Sequence, residues 1–172
     1  DSVVRRLPFA DNAVFMPCNR GILLAADGRS EEALESMLSQ AERMMLEAPW
    51  FMSSTMCRRG DQGWEVVAPP KSGANLARGM ELRNLAEFYS SQKDALEPWL
   101  QQRGDDVYVC DFTVLKVRGQ WQSYCVWGQG VRALLPVTDW VAVTSGGAHI
   151  QVNWQDVLDI CGPRLQPTSE SP

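Results

Sequence analysis

The sequence is short of the residues on which many enzymes and metal sites depend. It contains a single histidine, His149, and its five cysteines include no C-x-x-C pair. It also has no phosphate-binding glycine loop, no H-E-x-x-H segment and no nucleophile elbow. Gly128-Gln129-Gly130 lacks the helix that follows a phosphate cradle, so it predicts a turn. We therefore expect no cofactor, no metal site and no catalytic residues.

The cysteines favour a reducing compartment. Their number is odd and their neighbours are mostly apolar, which is typical of free buried thiols rather than of a disulfide framework. No apolar run in the sequence approaches the length of about 18 residues that a membrane-spanning helix needs. No signal-peptide pattern opens the sequence. We expect a cytoplasmic protein with no membrane partner. One enzymatic alternative stays open, a small cysteine-dependent hydrolase in which His149 is the base.

Positive charge is also scarce. The chain has 16 Lys and Arg against 21 Asp and Glu, a formal net charge of −5. Binding to a nucleic-acid backbone needs clustered Lys and Arg, so we expect no nucleic-acid partner. An acidic surface instead suits a basic protein partner, because complementary charge steers association. The seven tryptophans are unusual, and we expect most of them in the core and one or two at a binding surface.

Strand-forming residues are abundant between Asp106 and Val152. Short runs rich in Val, Tyr, Phe, Trp and Thr alternate with turn residues there, which predicts an antiparallel meander. The runs are VYVCDFTVLKV, WQSYCVW, VRALL, DWVAVT and AHIQV. In the last run the alternation of side chains points Ala148, Ile150 and Val152 inward and leaves His149 and Gln151 outside.

The first two runs predict a hairpin whose apolar residues share one face. The predicted turn is Arg118-Gly119, and the predicted pairs are Lys116 with Trp121, Val114 with Ser123, Phe112 with Cys125, and Cys110 with Trp127. A three-residue loop is the second alternative, and it would place the tryptophans opposite Thr113 and Leu115. Two earlier hairpins are predicted from Ala13 and around the turn at 60–63.

Two long helices are predicted before the meander. The first spans about 30–48, with Ser30 as its N-cap and an apolar stripe that begins at Leu34. The second spans about 80–103 and ends at Gly104. Pro98 predicts a kink or a separate second helix from near Asp94, because proline removes a backbone donor. A short helix capped by Asn153 should follow the meander and end at 162–163.

These elements predict a single α+β domain over residues 1–165. An antiparallel sheet over about 106–152 forms its centre, with the helices at about 30–48 and 80–103 packed on one face. The polar tail, 166–172, is predicted to be disordered.

The end of the predicted sheet that combines acids with an aromatic is the predicted partner-binding surface. Its residues are Asp105, Asp106, Trp127, Gly128, Gln129 and Gly130, with the loop at 145–147 beside them. Acid beside an aromatic suits a partner that presents Lys or Arg. Ordinary solvated turns are the alternative for this surface. The functional hypothesis is a non-catalytic binding protein, such as an acidic immunity protein that neutralises a basic bacterial toxin.

Overall fold

The computed structural model describes residues 4–47 and 51–165, which contain helices and mainly antiparallel strands. The α-helices are α1 (Glu31–Glu47), α2 (Ala74–Arg103) and α3 (Trp154–Cys161). The strands are β1 (Ala13–Asn19), β2 (Ile22–Asp27), β3 (Met56–Gly60), β4 (Gly63–Val67), β5 (Tyr108–Val109), β6 (Thr113–Val117), β7 (Gln120–Gly128), β8 (Ala133–Leu134), β9 (Trp140–Ser145) and β10 (Ala148–Asn153). The predicted α+β class is confirmed.

The chain divides into two compact units, Asp1–Asn84 and Leu85–Pro172, and the division falls inside α2. Each unit has a four-stranded sheet and a buried apolar cluster of its own. The single domain over 1–165 stays a prediction. The predicted tail, 166–172, lies outside the described residues.

The N-terminal unit contains an antiparallel sheet with the strand order β2-β1-β3-β4, built from the two predicted hairpins. Helix α1 begins as predicted, because the Ser30 hydroxyl accepts a hydrogen bond from the Ala33 N–H at 3.1 Å. The buried stripe of α1, including Met37 and Leu38, packs with Val14 and Met16 of β1 in one apolar cluster. The methionines of α1 are therefore part of the core. Residue 48, the predicted last residue of this helix, is not among those described.

Helix α2 is longer and more continuous than predicted. It begins at Ala74 rather than at Met80, and it continues through Pro98, so the prediction of a second helix from Asp94 is wrong. The sequence hides this start because Gly79 is a typical break signal, yet it lies buried within the helix. The end is as predicted, since Gly104 has a left-handed φ of 70°.

The β6–β7 hairpin confirms the predicted register. Lys116 pairs with Trp121 and Val114 with Ser123. Arg118 and Gly119 have φ values of 50° and 84°, as a two-residue turn of the primed type requires, so the three-residue alternative is wrong.

The two further predicted pairs, Phe112 with Cys125 and Cys110 with Trp127, are not part of the ladder, because β6 begins only at Thr113. The chain before Thr113 has other partners. The Phe112 ring stacks on Tyr89 of α2 at a centroid distance of 4.9 Å.

The meander is not antiparallel throughout. The run VRALL contributes β8, which pairs in parallel with β5 in a separate two-stranded sheet. The connection after Gly128 therefore returns the chain to the end of the sheet where β7 begins. Strand β9 then lies parallel to β7, with Tyr124 opposite Trp140, in the sheet order β10-β9-β7-β6. The prediction of an entirely antiparallel meander is wrong at this point.

The edge strand β10 is only partly covered. His149 and Gln151 are exposed as predicted, whereas Ile150, expected to face inward, is 64% exposed, and Ala148 is exposed too. The apolar cluster beneath this sheet includes Cys125, Val141 and Val157, and it reaches Val152 at the far end of β10. The first half of β10 extends beyond that cluster. Asn153 then caps α3 as predicted, accepting a hydrogen bond from the Asp156 N–H at 2.9 Å.

Candidate partner-binding site

The two glycine-containing loops of the predicted surface lie at one end of the C-terminal sheet. Gly128, at the end of β7, pairs with Thr144, near the end of β9. The Gln129 N–H donates to the Thr144 carbonyl at 2.9 Å, and the Ser145 hydroxyl donates to the Gln129 side-chain carbonyl. Gly130, Gly146 and Gly147 have positive φ values, as tight turns between strands require.

The predicted acids reach the same neighbourhood through β5. The Tyr108 N–H donates to the Arg132 carbonyl at 2.9 Å, and Arg132 follows the turn at 128–130. Asp105 and Asp106 immediately precede β5. The short β5–β8 ladder therefore connects the acidic segment to the chain that leaves this turn.

Trp127 stabilises the turn and the core. Its indole N–H donates to the Val131 carbonyl at 2.9 Å, and its half-buried ring packs against the cluster that contains Cys125 and Val141. Tyr108 is the aromatic residue nearest the acids along the chain, and it is 48% exposed.

The acids line a cavity of about 310 Å³ between the end of α2 and the segment that leads into β5. Its lining combines acidic, amide and apolar side chains: Glu97, Leu100, Gln101, Asp105, Asp106, Val107, Tyr108 and Val109. Leu100 is buried, whereas Asp106 is exposed. The cavity therefore has an apolar wall and a carboxylate rim.

The helix end creates this cavity. With Gly104 in the left-handed region, the Gly104 N–H donates to Gln101 at 3.1 Å and the Asp105 N–H donates to Leu100 at 3.0 Å. These bonds satisfy carbonyls that a helix C-terminus would otherwise leave unpaired. They also turn the chain back, so that residues 105–109 pass beside the last turns of α2.

Two cations neutralise only part of the acidic charge. Arg103 Nε lies 3.1 Å from Asp105 Oδ2, and Lys93 Nζ lies 3.6 Å from Glu97 Oε1. Lys93 is closer to Asp111, at 2.5 Å, and this hydrogen bond raises the pKa of the Lys93 ammonium. Asp106 has no hydrogen-bond or ion-pair partner among the described residues. The rim is therefore net negative.

Cys110 and Cys125 are poorly suited to be the nucleophile of the hydrolase alternative. Burial raises the pKa of the Cys110 thiol to about 11, and it also raises the pKa of the Cys125 thiol. A nucleophilic cysteine requires the opposite shift. His149 is exposed on the edge strand β10, opposite Thr144, whereas Cys125 is fully buried and opposite Val141.

No group of three or more His, Cys, Asp or Glu side chains in residues 4–47 and 51–165 could hold a metal ion. No helix in the same residues is both long enough and apolar enough to span a membrane.

No protein-family model, no curated protein and no solved structure matches this chain. Its function is therefore inferred from the chemistry of the site.

Sequence reasoning identified Asp105 and Asp106 but missed the cavity around them. Glu97 and Leu100 belong to α2, and their side chains come beside the acids only because the chain reverses at Gly104. The helix stop at Gly104 was visible in the sequence. Placing the last turn of α2 against the residues that follow this stop would have suggested the cavity.

Proposed function

We propose that this protein is a non-catalytic binding protein that captures a basic side chain of a protein partner in the cavity between α2 and β5. The observation that carries the proposal is the rim of Glu97, Asp105 and Asp106 around an apolar wall. A lysine or arginine side chain matches such a cavity, because its stem packs on apolar surface while its charged head stays near carboxylates and water. The Lys93 ammonium already lies 5.4 Å from the centroid of the Tyr108 ring, so the carboxylates rather than this ring recognise the charge of the partner.

The charge of the whole chain supports the same class of partner. A net charge of −5 attracts a basic protein at long range, and the cavity gives the encounter a specific position. An acidic immunity protein that neutralises a basic toxin is one form of this function. Cytoplasmic location is part of the proposal, since all five thiols are free.

A lysine decapeptide is a suitable probe of the cavity in the absence of a known partner. At low salt it should shift the backbone amide NMR signals of Asp105, Asp106 and Tyr108. The double variant Asp105→Asn with Asp106→Asn removes two charges with little change of shape, and it should weaken binding about tenfold or more. The matched control is Glu87→Gln with Asp94→Asn, which removes two exposed charges on α2 outside the cavity. Equal weakening in both double variants would show attraction to net charge alone and would contradict a specific site.

A further inference from the structure

A second cavity, of about 580 Å³, lies at the opposite end of the C-terminal sheet, where β7 and β9 begin and β10 ends. Its lining is dominated by three tryptophans and three side-chain amides: Trp121, Gln122, Thr138, Asp139, Trp140, Asn153, Trp154 and Gln155. The volume lies in the range typical of small-molecule sites. We refer to it as the tryptophan cleft.

The topology brings the three tryptophans together from distant positions in the sequence. Trp121 is the second residue of β7, Trp140 the first of β9 and Trp154 the first of α3. Parallel pairing places Trp140 opposite Tyr124, and antiparallel pairing places it opposite Asn153. All three rings are half-buried, so each presents part of its surface to the cleft.

Several polar groups of the cleft have no partner in residues 4–47 and 51–165. The indole N–H groups of Trp140 and Trp154 make no hydrogen bond among the described residues, and neither does the Gln122 amide. No buried side-chain nitrogen or oxygen in those residues is unsatisfied, so these groups are accessible to solvent, and their residues line the cleft. Two donors and one amide, which both donates and accepts, are thus available to a ligand.

We propose that the tryptophan cleft binds a neutral oligosaccharide. A sugar ring has an apolar face of C–H groups that packs on a tryptophan ring, and its hydroxyls both donate and accept hydrogen bonds. Its hydroxyl oxygens accept from the indole N–H groups of Trp140 and Trp154. Its hydroxyl groups donate hydrogen bonds to the side-chain carbonyl of Gln122. The ligand therefore packs on the tryptophan rings and pairs with the polar groups of the cleft at the same time.

An organic cation is the main competing ligand for an aromatic cleft, and two features disfavour it. A quaternary ammonium ion has no acceptor for the two indole N–H groups. The Lys116 ammonium already lies 5.2 Å from the centroid of the Trp121 ring, where it would repel a second cation. Asp139 is the single carboxylate of the lining, and its Oδ2 already accepts two hydrogen bonds from Ser123.

The test follows the indole N–H signals of the tryptophans in two-dimensional NMR, assigned by Trp→Phe variants. The probes are cellotetraose, maltotetraose, mannotetraose and chitotetraose, each at about 10 mM, a concentration that would nearly fill a site with a Kd of about 1 mM. At least one sugar should shift the Trp140 and Trp154 signals. Tetramethylammonium chloride at the same concentration should not. Unchanged signals with all four sugars, or shifts with tetramethylammonium alone, would overturn the proposal.

Variants of the protein, titrated with the sugar that binds, show which residues form the binding site. Gln122→Ala should weaken binding about tenfold, whereas Gln92→Ala, which removes an exposed amide on α2 outside the cleft, should leave it unchanged. Trp140→Phe keeps a ring but removes the donor, and a loss of about tenfold is expected. The exposed Trp64 lies in the other unit, so Trp64→Phe is its matched control. If Gln122→Ala and Gln92→Ala bind the sugar equally, the assignment to the cleft is wrong.

Discussion

Ser123 and Asp139 are joined by three hydrogen bonds that connect β7 to the segment entering β9. The Ser123 N–H and hydroxyl both donate to Asp139 Oδ2, at 2.7 and 2.9 Å, and the Asp139 N–H donates back to the Ser123 hydroxyl at 2.9 Å. Ser123 is 1% exposed, so water cannot readily replace these bonds. The pair holds the start of β9, with Trp140, beside β7, and thereby shapes the tryptophan cleft.

Loss of the Ser123 hydroxyl should destabilise the protein. Ser123→Ala leaves the Asp139 N–H without an acceptor and removes one donor from the carboxylate, which should cost about 1–3 kcal/mol. Urea denaturation measures the difference. Ser91→Ala is the matched control, because the exposed Ser91 hydroxyl only donates to the carbonyl of Glu87 on α2, and its effect should stay within about 0.5 kcal/mol. Equal midpoints for the two variants would contradict a structural role for the Ser123–Asp139 pair.

The thiols should differ sharply in reactivity. Cys18, Cys110 and Cys125 are buried, whereas Cys57 and Cys161 are half-buried. A thiol reagent should therefore modify Cys57 and Cys161 first and the other three only after unfolding. The double variant Cys57→Ser with Cys161→Ser should lose the early phase. Detection of fewer than five thiols in denaturant without reductant would reveal a disulfide and contradict the proposed reducing compartment.

Stability should fall in alkaline solution because of the buried thiols. Burial raises the pKa of Cys110 from its ordinary 9.0 to about 11, so the folded state holds the proton more tightly than the unfolded state does. This contribution is complete below pH 9.0 and is lost as the pH rises through about 11.

The dependence on pH can be assigned by substitution. Lys93, whose pKa is also raised by its bond to Asp111, contributes in the same direction in all variants. The decrease in unfolding free energy between pH 9 and pH 11 should be smaller in Cys110→Ala than in the wild type or in Cys161→Ala. Identical slopes in the three proteins would mean that Cys110 does not titrate in this window.

The parts of the fold that could be predicted are those with local signals. The Ser30 cap, the hairpin turns and the Gly104 stop each depend on a few neighbouring residues. The pairing of Tyr108 with Ala133 could not be predicted, because it joins two short runs 25 positions apart that no single turn connects, so no local signal sets the register. A strand as short as β8 also gives no periodicity from which to infer its partner.

The candidate sites, too, could be predicted only where neighbouring residues in the sequence carry the signal. Asp105 and Asp106 are predicted from their place at one end of the sheet and from negative charge beside an aromatic residue, but the wall of their cavity comes from α2 and required the tertiary structure. Trp121 was expected in the core because it alternates with Ser123 and Cys125, and both of these are buried. The sheet ends near Trp121, so its ring lines a cleft instead. Alternation along a strand predicts the face of a side chain, not whether another element covers that face.

The turn at Arg118-Gly119 offers a direct test of the β6–β7 register. Gly119 has a φ of 84° with open space around its α-carbon, so Gly119→Ala would strain the backbone without causing a clash. A left-handed conformation costs a residue with a β-carbon about 1–2 kcal/mol, and we expect that loss in urea denaturation. Gly21→Ala is the matched control, because Gly21 also has room for a β-carbon and its φ lies outside the left-handed region, so it should not destabilise the protein. Arg118→Asn should act in the opposite direction, since Asn-Gly is the preferred sequence for a primed two-residue turn. A Gly119→Ala variant as stable as Gly21→Ala would mean that this turn is not left-handed and that the hairpin register differs from the one described.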